Sequence, residues 1–334
     1  MRLVKNLCRI IVGIVFIYSG FVKGIDPLGS DYKFTDYFNA FGMGWMNATT
    51  LFFSFALSLA EFLIGIALLF NLWVSRMAWG SLLFMAFFTP LTLVLALTNP
   101  VSDCGCFGDA TLLTNWQTFW KNIILLLLAI MIFMYRKEYK SSLPLVGQFS
   151  FLALAGAGML CLSVYCYRHL PVLDFRPYAV GKNITEGMRL PEGAEPDQYE
   201  VTLKYKNKQT GEVQSFTEEN YPWQDTLNWE YESSSERLVK KGYITPIHDL
   251  VIEHPTLGNI TEEILEDDNH TILAVAYNLT QSDVQYQPAI NRLAEYAQEK
   301  GIRFYGLTSS SERDIETYKK RYHVPYEFCT ADEI

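Results

Sequence analysis

The residues best placed by type and spacing to do chemistry are the cysteines of Asp103-Cys104-Gly105-Cys106-Phe107-Gly108-Asp109. Thiols and disulfides exchange electrons through attack of a thiolate on a disulfide sulfur. Two cysteines separated by one glycine close only a very small ring. A bridge there would be strained, hence more oxidising and more readily reduced. That suits an exchange site better than a staple. Asp103 and Asp109 are expected to raise both thiol pKa values. A static loop and half of a metal site shared between subunits remain as alternatives. A zinc site usually takes four ligands, no His or further Cys lies nearby in the sequence, and no metal is expected.

A second candidate is Glu61, inside a long apolar run. A carboxylate at that depth in a membrane is costly, about 2.5–3.5 kcal/mol on insertion scales, so it should face inward and have a partner or a proton. Depth counting places Thr89, Pro90 and Thr92 near its level, with Arg9 within reach. Pro90 frees a backbone carbonyl that a protonated Glu61 would use. Glu61, Arg9 and Thr89 therefore form a candidate proton relay or polar contact for a bound carrier such as a quinone. A buried structural hydrogen bond is the equal alternative. Cys161 and Cys166 lie five residues apart, about 140° around a helix, and do not share a face. Cys166 is held as a possible auxiliary thiol, Cys161 as a small core residue, and Cys8 as inert.

These residues need a membrane bundle to hold them. The chain has 334 residues, 50% hydrophobic and 19% charged, below the roughly 25% charged of ordinary soluble proteins. Residues 1–166 carry 10 Lys/Arg against 7 Asp/Glu, net +3; the remaining 17 against 29 give net −12, together the −9 of the chain. An acidic second half is the wrong sign for nucleic acid. Five apolar stretches, roughly 7–22, 50–72, 77–97, 116–135 and 149–167, read as spans. No small-x-small cleavage site follows the first, which argues against a signal peptide. Arg2, Lys5, Arg9, Arg76, Arg136, Lys137 and Lys140 fall on one side of a five-span path, which makes that side and the N-terminus cytoplasmic. Residues 168–334 are then outside, as is the Cys104/Cys106 loop, where disulfides persist.

The run from Arg9 through Ser19-Gly20-Phe21-Val22-Lys23 to Asp26-Pro27 resembles the first helix of DoxX-type membrane proteins. Leu59-Ala60-Glu61-Phe62-Leu63-Ile64-Gly65 is similar to their second helix. Cys104-Gly105-Cys106-Phe107-Gly108 is similar to the motif of the related MauE branch. The resemblance covers about residues 5–136. It implies a four-helix core, thiol or quinone redox outside the cytoplasm, and a bacterial inner-membrane setting. In the methylamine system it ties the family to disulfide maturation of a partner protein.

Beyond the last span, the prolines of 169–178 forbid helix continuation. Alternation of Tyr199, Val201, Leu203 and Tyr205, followed by a Thr210-Gly211 turn and 212–216, predicts a β-hairpin. The acidic, Ser-rich 230–236 reads as a solvated loop or short helix. An apolar run at 271–277, an amphipathic helix over 282–300, a run at 302–307 and a helix over 311–322 capped by Ser311 suggest parallel strands with right-handed crossovers. With 244–250 upstream, this resembles a thioredoxin or peroxiredoxin fold. The segment after the first strand, Tyr277-Asn278-Leu279-Thr280-Gln281-Ser282, holds no cysteine, so this region is not expected to be a dithiol oxidoreductase. It is also expected to be incomplete at Ile334, leaving a strand edge uncovered. The lone Cys329 reads as a packing residue. The five histidines are scattered, and no phosphate loop or nucleophile elbow is present.

The expected architecture is a membrane α-helical bundle followed by a soluble α/β domain. It comprises a DoxX/MauE-like four-helix domain (1–148), a fifth transmembrane helix (149–167), a linker with a β-hairpin (168–241) and a thioredoxin-like domain (242–334). The expected function is thiol–disulfide redox at Cys104 and Cys106 with an extracytoplasmic thiol protein. It has no covalently bound cofactor, and a quinone is the candidate carrier. The rival is a non-enzymatic scaffold whose outer domain binds protein or peptide.

Overall fold

The structure is a computed structural model that describes residues 2–101, 104–191, 193–194, 198–217, 220–222, 225, 227–240, 242–243, 245, 247 and 250–331. The chain divides into two compact units, Met1–Val180 and Gly181–Ile334.

The first unit is helical: α1 (Arg2–Ile25), α2 (Pro27–Ala40), α3 (Thr50–Leu69), α4 (Val74–Thr98), α5 (Asn115–Met134) and α6 (Leu145–Arg168). Five helices are long and apolar enough to cross a membrane: α1, α3 with the short 3₁₀ turn before it, α4, α5 and α6. The five expected spans are therefore present in a membrane protein. Helix α2 was not expected. Asp26 caps it, accepting from Gly29 N at 3.0 Å, and Pro27 opens it. Its apolar and polar residues are mixed too evenly to show as a span.

Helices α1 and α3 pack backbone to backbone. A Cβ added at Gly20 would lie 2.5 Å from Phe62 N and 2.6 Å from Ser58 O. In lipid, where apolar side chains gain nothing by leaving the solvent, such small-residue contacts drive helix association. At one end of the bundle, Lys5 pairs with Glu138 at 2.7 Å and the Tyr139 hydroxyl donates to Lys5 O at 2.9 Å. At that end too, Asn71 donates to Lys140 O at 2.7 Å. Basic residues used above to orient the chain thus gather at one end. Reporter fusions after Arg76 and after Tyr178 are expected to report opposite sides of the membrane; the same side for both would overturn the orientation.

The second unit contains α7 (Ile184–Met188) and a three-stranded antiparallel sheet of β1 (Gln198–Asn207), β2 (Val213–Thr217) and β3 (Trp229–Lys240), in the order β2-β1-β3. The β1–β2 hairpin is as expected. The stretch 230–236 is instead part of β3, antiparallel to β1. Aromatic pairing supplies what its Ser-rich composition lacks: Tyr205 contacts Tyr231, and Phe216 contacts Trp229.

A five-stranded sheet follows, formed by β4 (Glu253–His254), β5 (Gly258–Asn259), β6 (Thr271–Val275), β7 (Arg303–Thr308) and β8 (Glu327–Thr330). Its order is β5-β4-β8-β7-β6, with helices α8 (Thr261–Leu265), α9 (Gln287–Glu299) and α10 (Glu312–Tyr322). Strands β6, β7 and β8 are parallel. Both faces are covered, as parallel sheets require. Leu307 and Cys329 pack with Ile252 and Ile260 on one side, Phe304 and Phe328 with Tyr318 and Val324 on the other. Ser311 caps α10 as expected, its hydroxyl accepting from Asp314 N. Helix α9 begins at Gln287, later than expected, because Pro288 suits only a first turn. Among the described residues β6 is an edge strand. Of the segment 244–250, residues 244, 246, 248 and 249 lie outside the described residues. Ile247 and Leu250 are in the core.

Candidate functional site

Two helix ends and a turn bring the cysteines together. Asn99, in the left-handed conformation, ends α4, and a capping box of Thr114 and Gln117 starts α5. Asn115 Nδ2 donates to Asn99 Oδ1 and to Val101 O, both at 2.9 Å, closing the base of the loop. Gly105 has φ +60°, a conformation that favours glycine, and Cys104 Sγ and Cys106 Sγ stand 3.0 Å apart as free thiols. Ser102 and Asp103 lie outside the described residues.

The loop rests on α1 and α2. Ser19 donates to Cys106 O at 2.7 Å, and the Tyr37 hydroxyl donates to Cys104 O at 2.7 Å. Lys23, one turn after Ser19, donates to Ser19 Oγ at 3.0 Å and to Glu61 Oε1 and Oε2 at 2.8 and 2.9 Å. Both Lys23 and Glu61 are buried. The close α1–α3 contact at Gly20 sets this pair: Gly20 lies between Ser19 and Lys23, and Phe62 follows Glu61.

Glu61 therefore has a partner, as its depth requires, but a different one from those expected. Arg9 is not near it. Its guanidinium donates to the Leu68 and Leu69 carbonyls, the latter at 2.9 Å, and so satisfies the end of α3. Arg9 meets α3 at its last turn, seven and eight residues beyond Glu61, and Glu61 sits level with Lys23 instead. Thr89 is buried, but among the described residues its hydroxyl has no hydrogen-bond partner, and it does not line the cavity described below. Thr92 instead accepts from Asn122 at 3.2 Å.

The electrostatic setting also departs from expectation. The acidic neighbours were expected to raise both thiols. Instead Cys106 is pulled down to about 6, first by the hydrogen bond from Cys104 and then by Lys121 and Lys23, against burial and Glu61. Cys104 is pushed up, first by the same shared hydrogen bond and then by burial. The shared proton and the two lysines thus favour the thiolate at Cys106 over the thiolate at Cys104.

A cavity of about 200 Å³ opens beside the pair. Its walls are aromatic, with Phe34, Phe38, Phe84 and Phe88 among them, while Lys23, Glu61 and both cysteines lie at its polar part. A dry protein cavity of roughly 150 Å³ holds a benzene ring, so this one has room for a flat ring system. The chemistry of its lining fits an apolar, planar acceptor with polar edges, as a quinone is.

Other cysteines stand apart. Cys166 is buried on the packed face of α6 and does not line the cavity. Cys161 is exposed on that helix rather than in a core, because the bundle buries the opposite face. Cys8 lies in the bundle core. Cys329 is fully buried, and burial pushes its thiol up to about 11, which fits a packing role. Among the described residues no cluster of metal-binding side chains occurs.

Sequence reasoning quoted Ser19 and Lys23 only as part of a family resemblance, without a role in the site, and missed Tyr37. The four-residue spacing of Ser19 and Lys23 was the available signal, since it places both on one helix face. No curated protein and no solved structure matches the chain. Residues 199–241 match a domain of unknown function (DUF8463). Over residues 1–135, the stretch that carries the cysteine loop and the Lys23–Glu61 pair, the chain matches the family described as methylamine utilisation protein MauE.

Proposed function

We propose that this membrane protein is a thiol–disulfide redox protein of the bacterial inner membrane. In this reading Cys104 and Cys106 exchange electrons with a thiol protein outside the cytoplasm and pass them to a quinone in the adjoining cavity. The observation that carries it is the placing of two free thiols 3.0 Å apart in one cavity with a buried Lys23–Glu61 pair. A quinone, when bound, supplies a sink for two electrons and two protons. The chain's own residues hold the loop, exclude water behind aromatic walls and keep Glu61 beside the thiols as a proton acceptor. The acidic α/β unit, thioredoxin-like in its sequence pattern but without a cysteine after its first strand, serves to dock the partner. The matched family is named for methylamine utilisation; this reading takes over its membrane setting and leaves the physiological partner to experiment.

The test is trapping. With Cys106 replaced by alanine, a mixed disulfide formed through Cys104 cannot be resolved within the pair. Cys106→Ala is expected to accumulate a disulfide-linked adduct that reductant removes and that Cys104→Ala/Cys106→Ala lacks. A scaffold with a structural cysteine loop gives no adduct and one fixed redox state in cells.

A further inference from the structure

The two cysteines are held differently. Cys104 is buried, and Tyr37 donates to its carbonyl. Cys106 is half-buried, and its carbonyl is tied through Ser19 to Lys23. Lys23 has three N–H donors, and Glu61 Oε1, Glu61 Oε2 and Ser19 Oγ account for all three. Its hydrogen bonds are satisfied within the protein, so it acts on the cavity through its charge.

We propose that Lys23 is a positioning residue that makes the pair asymmetric, holding Cys106 through Ser19 and favouring negative charge on Cys106 Sγ. Cys106 is then the sulfur that faces the acceptor, and Cys104 is the sulfur that meets the partner. This deepens the thiol-redox reading and rests on it. Among the described residues, the other charged and titratable groups around Cys106 are Lys121 from α5, Glu61 from α3, Tyr37 of α2, Lys33 of α2 against Gly105, and Cys104 of its own loop.

The assignment follows from leaving-group chemistry, since the thiol of lower pKa leaves faster. A partner thiolate attacks Cys104 Sγ of the oxidised pair. The Cys104–Cys106 bond breaks, and Cys106 departs as the thiolate that Lys23 favours. The partner's second thiol loses its proton and attacks the partner sulfur bound to Cys104. Cys104 is released and takes up a proton. The partner has lost two electrons, and the pair has gained them. Re-forming the Cys104–Cys106 bond passes two electrons and the one proton held by Cys104 to a quinone, whose second proton comes from water.

The test is site-resolved alkylation of the reduced full-length protein in membranes by iodoacetamide, followed against pH by mass spectrometry. In the unaltered protein Cys106 is expected to label ahead of Cys104, with its midpoint below that of an ordinary thiol. Lys23→Met should raise that midpoint, slowing labelling at pH 7 by about tenfold per unit once the midpoint lies above it. Lys23→Arg should keep the profile low. Glu61→Gln removes a negative charge and should leave Cys106 labelling unchanged or faster. A Cys106 profile unmoved by Lys23→Met overturns the proposal, as does slowing by Glu61→Gln equal to that by Lys23→Met, the pattern of a merely structural ion pair. Should Lys23→Met fail to assemble, Lys23→Met/Glu61→Met removes both charges without leaving one buried alone. It should label more slowly at Cys106 than Glu61→Gln, and equal rates overturn the proposal. Failure of the redox reading itself appears separately, as absence of the trapped adduct in Cys106→Ala.

Discussion

Gly20→Leu is expected to abolish accumulation of folded protein in the membrane. Even the Cβ of the new side chain would sit 2.5 Å from Phe62 N and 2.6 Å from Ser58 O. Both are backbone atoms of α3, which cannot rotate aside as a side chain can. The helices must separate or shift, and that removes the close packing on which helix association in lipid depends. Overpacking of an ordinary core is destabilising by about 1–3 kcal/mol, and a clash with a rigid helix backbone should reach or exceed the upper end. Gly158→Leu is the control, because a Cβ there meets nothing within 4 Å. Size-exclusion profiles and thermal unfolding in detergent check both. A Gly20→Leu protein as abundant and as stable as Gly158→Leu would show that α1 and α3 are not in this contact.

The second large effect falls on Glu61. Glu61→Gln keeps a hydrogen-bond acceptor for Lys23 but removes the carboxylate that takes up a proton. Turnover of the Cys104/Cys106 pair is expected to fall by on the order of 10²-fold or more, the scale of a lost acid–base group, while the protein still assembles. Glu61→Met should fare worse in assembly, because it leaves the Lys23 ammonium buried with neither a counter-charge nor an acceptor at position 61, which is destabilising by about 3–5 kcal/mol. Adding Lys23→Met should recover most of that stability, since an apolar pair of similar volume often replaces a buried ion pair without loss, yet should not recover turnover. Stability and cycling of the cysteines, measured side by side in the four proteins, separate the two roles. Normal cycling in Glu61→Gln would remove Glu61 from the proton path.

Much of this was legible in the sequence. Apolar length alone marks α1, α3, α4, α5 and α6, because a bilayer demands about 20 apolar residues whatever the packing. The Cys104-Gly105-Cys106 spacing places two sulfurs together locally, since one glycine in a positive-φ turn suffices. Period-two alternation marks the β1–β2 hairpin for the same local reason. Glu61 was legible as a residue in need of a partner, because the desolvation of a carboxylate does not depend on the fold.

The identity of that partner was not legible. Lys23 and Glu61 are 38 residues apart, and they meet because α1 and α3 pack through Gly20 and bring Lys23 level with Glu61. Depth counting along separate spans chose Arg9 and Thr89, since it has no knowledge of which helix faces which. The polarity of the cysteine pair was hidden likewise. Sequence neighbours of the loop are acidic, but the charges that act on Cys106 include Lys23 and Lys121, brought from two other helices. Strand β3 shows the same limit, because its Ser-rich stretch is a strand only by virtue of pairing with β1. Local chemistry and the solvent a segment must survive in are written into the residues themselves. Which distant charge neutralises another, and which sulfur holds the proton, are decided by tertiary packing, because electrostatic energy depends on distance through space and on burial.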